Sequence, residues 1–551
     1  MSEPTDSLLD FLGRPSWKQL IPRKGRAGNV VQSLAITKAY VKQAHGIRKA
    51  FAHYGPLLQA ASKPGDLAGR KILIFAYKIQ WFDTSCAMAL ALAARGAEVS
   101  IAWLPHVLAV PLSQPHAEVA VERIVATLYR RALPSSGPVR GIELANLPED
   151  GPSEPAANVE NASRLDVHYL AKREQIDIGP GGRQRELYEF RLERNARAYR
   201  LASSLLARER FDSAIIPNGM IFEFASFARA CNAAKLDYVT YEFWEKRYSC
   251  MLNLDRPVFE RFEERMWSLS PKQPSERARE RVLKSMATRE GTEWKDFALK
   301  YQTSPLVSSE ELRRSLSLDE GKPIVLVLPN VPFDTAVIGT PGAFSTLGAW
   351  FESTLRILAR RDDCQVVIRA HPAEIILGAN ETAKEMYERA IPQPPAHFRF
   401  IASDQKVNTY ALMKMTSVGL VYSSTTGLEL AMRGVPSVVA TQVHYARKGF
   451  TIDVENEADL ERRIGELLKT SGRLEQSVID LSWAYADMYM NRLPRPFPFV
   501  PVVENFWAEA APNLDAAMRD TLSEEMRDSL ILFAGRERAR TLYARIAASG
   551  D

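Results

Sequence analysis

The sequence predicts an α/β protein built from two doubly wound, Rossmann-like domains, with a helical N-terminal arm and helices at the C-terminus. Three observations predict it. Short β-branched runs alternate with apolar helical segments over residues 66–265 and again over 321–495. A polar stretch with helical spacing, 266–320, separates the two series. The 551 residues, 46% hydrophobic and 25% charged, suffice for about three folded units and exclude a disordered, fibrous or small disulfide-held chain.

The first series opens at residues 71–77 (KILIFAY). A loop, KIQWFD, leads to a helix over 84–95 that Gly96 closes, and 98–104 (EVSIAWL) returns as a strand. That β-loop-α-β unit is the building block of a parallel sheet. Residues 133–161, rich in Pro, Gly and Asn, read as an irregular excursion, and 183–210 as one long charged helix. A strand at 213–217 (SAIIP), a helix over 222–234 and a strand at 238–242 (YVTYE) complete the domain. Residues 262–316, with Trp267 and Trp294, read as a helical linker.

The second series runs through strands at 323–329, 365–372, 398–401, 417–424 and 436–440. Helices near 345–360, 383–390, 408–415 and 426–433 lie between them. Residues 496–551 read as helical. No solenoid-period repeat and no low-complexity tract is present.

The formal charge of +5 is unevenly placed. Residues 11–65 hold ten Lys or Arg (Arg14, Lys18, Arg23, Lys24, Arg26, Lys38, Lys42, Arg48, Lys49, Lys63) and no Asp or Glu. The first ten residues contribute −3, which leaves −2 for 66–551. A nearly neutral body argues against a general nucleic-acid binder and singles out a basic arm, 1–65. Within it, residues 30–61 have apolar residues at helix-like intervals. Two readings stand: peripheral association with an anionic membrane surface, or a helix packed on the first domain with its cations in water. The four cysteines, Cys86, Cys231, Cys250 and Cys364, lie far apart without C-x-x-C spacing, so neither a disulfide framework nor a zinc site is expected. The acidic start, MSEPTDSLLD, is not that of a signal peptide, and no apolar run reaches about 18 residues. The expected location is cytoplasmic, and at the inner face of the cell membrane if the first of those two readings of the arm holds.

The segment 417–440 (SVGLVYSSTTGLELAMRGVPSVVA) carries the clearest chemistry. A buried strand delivers Ser423, Ser424, Thr425, Thr426 and Gly427 to a helix start, where hydroxyls, backbone N–H groups and the helix dipole suit a phosphate. Thr426 and Glu429 could equally form only a capping box. In 364–374 (CQVVIRAHPAE), Arg369, His371 and Glu374 leave a strand at the same carboxyl edge, with Pro372 ending it. His371 can donate to a phosphate and Arg369 can neutralise it. The loop 442–450 adds His444, Tyr445, Arg447 and Lys448, cations for a leaving group or a solvated loop.

Together these segments resemble the bacterial capsule polysaccharide biosynthesis family of glycosyltransferases, with the GT-B architecture of two facing Rossmann-like domains. The resemblance is densest in LPNVPFDTAVIG (328–339), IRAHPAE (368–374) and 421–451, and covers 323–455 well. The His-Pro and Ser-Ser pairs also resemble the nucleotide-binding motifs of GT-B sialyltransferases and Kdo transferases. The resemblance implies that His371 contacts the nucleotide, that Ser423 and Ser424 contact its phosphate, and that Glu429 lies near the ribose or base. It implies a catalytic base from the first domain: Asp83, which also reads as a helix N-cap, or Glu242 or Glu245. Asp334 matches the family pattern with its role open.

No Asp-x-Asp, H-E-x-x-H, P-loop or G-x-G-x-x-G occurs, so no catalytic metal and no cofactor is expected beyond a nucleotide-sugar co-substrate, CMP-linked in the nearest resemblance. The implied function is transfer of a sugar from a nucleotide-sugar donor to a surface or capsular glycan or glycolipid acceptor. The alternatives are a CDP-glycerol-type polyol-phosphate transferase and a non-catalytic scaffold of a polysaccharide assembly complex.

Overall fold

The structure is a computed structural model that describes residues 26–60, 65–77, 79–105, 110–111, 115–246, 248–260, 263–291, 304–334, 337–470, 472–499 and 505–549. Arg14, Lys18, Arg23, Lys24 and Lys63 of the basic arm, and Trp294, lie outside these residues. Contacts divide the chain into two compact units: 1–170 with 177–262 and 494–545, and 171–176 with 263–493 and 546–551.

The first unit holds strands β1 Lys71–Ala76, β2 Glu98–Trp103, β3 Val139–Glu143, β4 Ser213–Pro217, β5 Tyr238–Phe243 and β6 Ser249–Leu254. Its helices are α1 Arg26–Ala60, α2 Ile79–Ala94, α3 Pro115–Ala132, α4 Ala156–Ala171, α5 Arg185–Arg208 and α6 Phe222–Ala233. The sheet order is β6-β5-β4-β1-β2-β3, with the short strand Arg495–Pro496 outside β6. β1 to β5 run parallel, whereas β6 returns antiparallel on β5. β4 is buried at every position, which is why SAIIP reads as an unbroken apolar run rather than an alternating one. Phe75 stacks on Phe227 of α6, with centroids 4.2 Å apart, which ties the sheet to that helix.

Two expectations change here, and one of the two readings of the basic arm is met. The stretch 133–161 is not irregular: it contains β3, paired parallel to β2, and the start of α4. Its Pro, Gly and Asn residues are joints between short elements. The helix expected from Thr84 begins at Ile79, so the supposed loop supplies its first turn. Gly96 closes it as expected, at φ +93°. The helix of the basic arm is packed: Tyr40, Ala44, Ile47, Ala50, Tyr54 and Leu58 are buried.

The second unit holds β7 Ile324–Leu328, β8 Gln365–Arg369, β9 Phe398–Ile401, β10 Val418–Val421, β11 Ser437–Val439 and β12 Ile452–Asp453. α7 Glu263–Leu269, α8 Glu276–Glu290 and α9 Ser309–Ser315 precede β7. α10 Leu347–Ala359 leads to β8, α11 Ala373–Leu377 and α12 Ala383–Ala390 lead to β9, and α13 Thr409–Met415 leads to β10. α14 Thr426–Met432 precedes β11, and α15 Glu457–Thr470 and α16 Gln476–Asp487 follow β12. The sheet is all parallel, in the order β12-β11-β10-β7-β8-β9. Its core joins Val325, Val327, Ile368 and Leu420 of the strands to Trp350 and Leu355 of α10 and Leu460 and Ile464 of α15. The segment 266–320, expected as a linker, is built into this unit: Arg281 of α8 makes two bonds of 2.9 Å to Asp487 of α16, and Arg279 reaches Asp480 at 2.8 Å.

Past Arg495–Pro496 the C-terminal stretch forms α17 Phe506–Met518, α18 Glu524–Leu532 and α19 Arg536–Ser549. Among the described residues no helix is long and apolar enough to cross a membrane.

Candidate functional site

In the second sheet the chain runs outward from β7 through β8 and β9, then returns to the other side of β7 as β10. That reversal is a topological switch point, where the connections leaving neighbouring strands diverge and open a crevice at their carboxyl ends. Register places the candidate residues there. Val421 pairs with Leu328, and Ser423 and Asn330 each stand two residues beyond that pair. Val327 pairs with Ile368, and Asn330 and His371 each stand three residues beyond. Ser423, Asn330 and His371 are therefore level on adjacent strand ends.

Each has a distinct hydrogen-bonding state. Ser423 is 7% exposed, its N–H donates to Asn330 Oδ1 at 3.1 Å, and its buried Oγ has no partner. His371 Nδ1 accepts the Ala373 N–H at 3.1 Å, and burial, helped by the Arg369 charge, holds the ring down at about 4. A ring that is neutral and accepts at Nδ1 carries its proton on Nε2, a donor. Pro372, in αR conformation, turns the chain from β8 into α11. Asn330 escaped the sequence reading. Its signal was present, a polar residue directly after the apolar run IVLVLP.

Around the α14 start the hydroxyls partly serve each other. Ser424 Oγ accepts from the Thr426 hydroxyl at 2.8 Å, and the Ser424 carbonyl accepts from the Tyr445 hydroxyl. Thr425 is the N-cap without a side-chain bond, so the Thr426–Glu429 capping box does not form. Glu429 is fully buried and faces the Arg289 guanidinium at 2.9 Å and the Tyr410 hydroxyl at 3.4 Å. Gly427 is required by packing: a Cβ there would stand 2.9 Å from Tyr445 Cζ and 3.0 Å from Ser437 Oγ. Its N–H already bonds the Ser424 carbonyl at 3.1 Å.

Of the cations expected at the site, Arg447 is exposed, its backbone N–H donating to Asp453 Oδ2 at 3.1 Å, and the others are engaged elsewhere. Buried Arg369 donates to the Ala402 carbonyl and, at 3.3 Å, to the Val407 carbonyl, and burial lowers its guanidinium to about 10. Lys448 pairs with Glu264. His444 is neutral rather than cationic: burial and the Lys448 charge hold it at about 3, its ring stacks on Tyr489 at 3.7 Å, and Nδ1 meets the Tyr485 hydroxyl at 3.1 Å. Glu374 is buried, accepts the Ala383 N–H at 3.0 Å as a support for α12, and is pushed by burial up to about 7. Asp334 is exposed, and its carbonyl accepts from Val337 and Ile338 in a turn. These engagements leave neutral groups at the β7–β10 edge, among them the Ser423 hydroxyl and the His371 ring.

The first unit has its own switch point, between β1 and β4. Asn218, which ends β4 at φ +54°, donates through Nδ2 to Glu242 Oε2 at 2.7 Å, and Glu242 also accepts the Phe243 N–H at 3.2 Å. Burial raises this carboxyl to about 7 against both bonds. Asn218 Oδ1 accepts the Met220 N–H at 2.9 Å, and Asp166 Oδ1 accepts the Phe222 N–H at 2.6 Å, so the turn carrying Asn218 is held from two sides. Asp166 and Glu223 flank the fully buried Arg191 at 3.0 and 2.8 Å. Asp83 is no strand-end base and no N-cap. It lies inside α2, half-buried, accepting from Gln43 and Trp507 at 2.9 Å each, and desolvation lifts it to about 6. It ties α1 and α17 to α2.

No family model and no curated protein matches the chain. Solved structures similar to it include KpsC, beta Kdo 2,4 transferase, of Thermosulfurimonas dismutans, at 14% identity over 50% of this chain and 79% of that one, with a TM-score of 0.31. Sucrose-phosphate synthase of Thermosynechococcus elongatus is similar at 12% over 82% and 98%, TM-score 0.27. UDP-GlcNAc 2-epimerase of Neisseria meningitidis bound to UDP-GlcNAc is similar at 9% over 75% and 97%, TM-score 0.23. At scores of this size none of them bears on what the chain does.

Proposed function

We propose that this protein is a metal-independent glycosyltransferase that moves a sugar from a nucleotide-sugar donor to a surface or capsular glycan acceptor, with the donor phosphate at the β7–β10 switch point. The observation that carries the proposal is the Ser423 hydroxyl, buried at that edge with no partner. Leaving such a group unmade costs about 1–3 kcal/mol, which a phosphate oxygen accepting its proton offsets. His371 stands level with Ser423 at the β8 end, and the Thr425 and Thr426 hydroxyls stand at the start of α14. The family resemblance over 323–455 supports the same assignment.

The proposed base is Glu242, a carboxyl brought near neutrality and oriented by Asn218. In the transfer the acceptor hydroxyl gives its proton to a base while its oxygen bonds the anomeric carbon. The bond from the anomeric carbon to the donor phosphate breaks, and its electron pair stays on the phosphate oxygen.

Thermal melting of the full chain with CMP, CDP, UDP and GDP tests the site. One nucleotide is expected to raise the melting temperature by mass action, and Ser423→Ala and His371→Ala to reduce the rise. Equal shifts in wild type and both variants would overturn the assignment. Transfer of glycerol phosphate from CDP-glycerol to the acceptor with release of CMP, rather than transfer of a sugar with release of the nucleotide, would identify a polyol-phosphate transferase, and binding without turnover of any acceptor a scaffold.

A further inference from the structure

We propose that helix α1 is an electrostatic docking face for the anionic surface of a lipid bilayer. One side of α1 is committed to the first unit, where Tyr40, Ile47, Tyr54 and Leu58 are buried and the helix packs on α2, α3 and α17. Lys38, Lys42, His45, Lys49 and His53 recur every three or four residues on the opposite side, all exposed, with Arg48 beside them. At 1.5 Å per residue the stripe from Lys38 to His53 is about 22 Å long and straight.

Among the described residues, α1 and its neighbour α3 offer this face no unpaired acid. α1 contains no Asp or Glu. Among the described residues Lys38, Lys42, Arg48 and Lys49 form no ion pair. The neighbouring helix α3 offers none either: both of its acids, Glu118 and Glu122, are paired with Arg194, while Arg123 and Arg131 remain exposed. Surfaces ordinarily intersperse the two signs, so four cations, Lys38, Lys42, Arg48 and Lys49, on a fixed helix without an acid among them imply an anionic partner.

Two features favour a bilayer over a nucleic acid. Val41 and Leu57 on α1 are each 46% exposed, and Val119 and Ile124 on α3 are 45% and 43% exposed. Apolar side chains beside cations gain where headgroups and acyl chains are both within reach, and gain nothing on a phosphodiester backbone. The chain from 66 onward sums to −2, so no wider basic field extends the stripe around a polyanion. The face is independent of the transfer reaction proposed above.

Sedimentation of the full chain with vesicles of phosphatidylcholine, alone or mixed with phosphatidylglycerol, tests the proposal at low and high salt. Binding is expected only with the anionic vesicles and only at low salt. Each cation near such a surface multiplies partitioning about fivefold, so Lys38→Gln/Lys42→Gln/Arg48→Gln/Lys49→Gln is expected to weaken it several hundredfold. Val41→Ser/Leu57→Ser is expected to weaken it further than a purely electrostatic contact allows. Lys42→Glu/Lys49→Glu, checked by an unchanged melting temperature, provides a second charge variant. Equal pelleting of wild type and both charge variants, or binding to duplex DNA without binding to vesicles, would overturn the proposal.

Discussion

Asn330 Oδ1 accepts the backbone N–H of Ser423 at 3.1 Å, joining the end of β7 to the end of β10 across the switch point of the second sheet. The bond satisfies the Ser423 main chain from within the protein and leaves its side-chain hydroxyl unpartnered. Ser423→Ala is therefore expected to leave the melting temperature unchanged or slightly raised, because it removes a buried polar atom that the fold does not use. Nucleotide-sugar affinity should fall about ten- to a hundredfold, the worth of one hydrogen bond to a charged group. Asn330→Leu should differ by losing about 1–3 kcal/mol of stability as well, since it orphans a buried N–H. Calorimetric melting and titration of both variants separate the two effects.

Gly427 faces Tyr445 so closely that a methyl group cannot be added without movement. Gly427→Ala is expected to destabilise the second unit by about 1–3 kcal/mol through overpacking. Tyr445→Phe removes the hydroxyl in the way, along with its bond to the Ser424 carbonyl. In a double-mutant cycle the pair should be less destabilising than the sum of the two single changes. Strict additivity, measured by urea unfolding, would contradict the contact.

Glu242 links pH to both turnover and stability. Its carboxyl is raised by burial to about 7, above the ordinary unfolded value of about 4.3. Between those limits the folded state holds a proton that the unfolded state has lost, so this group's contribution to stability is largest in acid and is lost as pH rises through 7. A base must be ionised, so log kcat/KM should rise with pH and level off above about 7. Glu242→Gln should remove the acid limb together with most turnover, and be more stable than wild type above neutrality. Retained turnover in that variant would exclude the carboxylate as base.

Arg191 is fully buried between Asp166 and Glu223, at 3.0 and 2.8 Å, and adds a bond of 3.2 Å to Asn195. Removing one partner of such a cluster strands the others in a low-dielectric site. Arg191→Leu is expected to cost about 3–5 kcal/mol. Arg191→Lys should recover little of it, because an ammonium cannot make the forked contacts. The midpoint of urea unfolding measures both.

Most strands were legible because burial on both faces of a parallel sheet demands unbroken apolar runs, as in SAIIP and IVLVL, and because Gly96 and Pro372 mark where a helix or strand must end. The strand-end positions of Ser423, His371 and Glu242 followed from the same pattern. What the pattern leaves open is which neighbour each polar group meets. Lys448 reads as a cation beside a phosphate until the fold brings Glu264, 184 residues earlier, onto its ammonium. Glu429 reads as a cap until Arg289 reaches it, and His444 as a cation until Tyr489 and burial strip its charge. Composition and periodicity are local and determine elements and their order. Charge state and hydrogen-bond partners depend on groups distant in sequence and on how much water burial removes, so only the tertiary structure decided them.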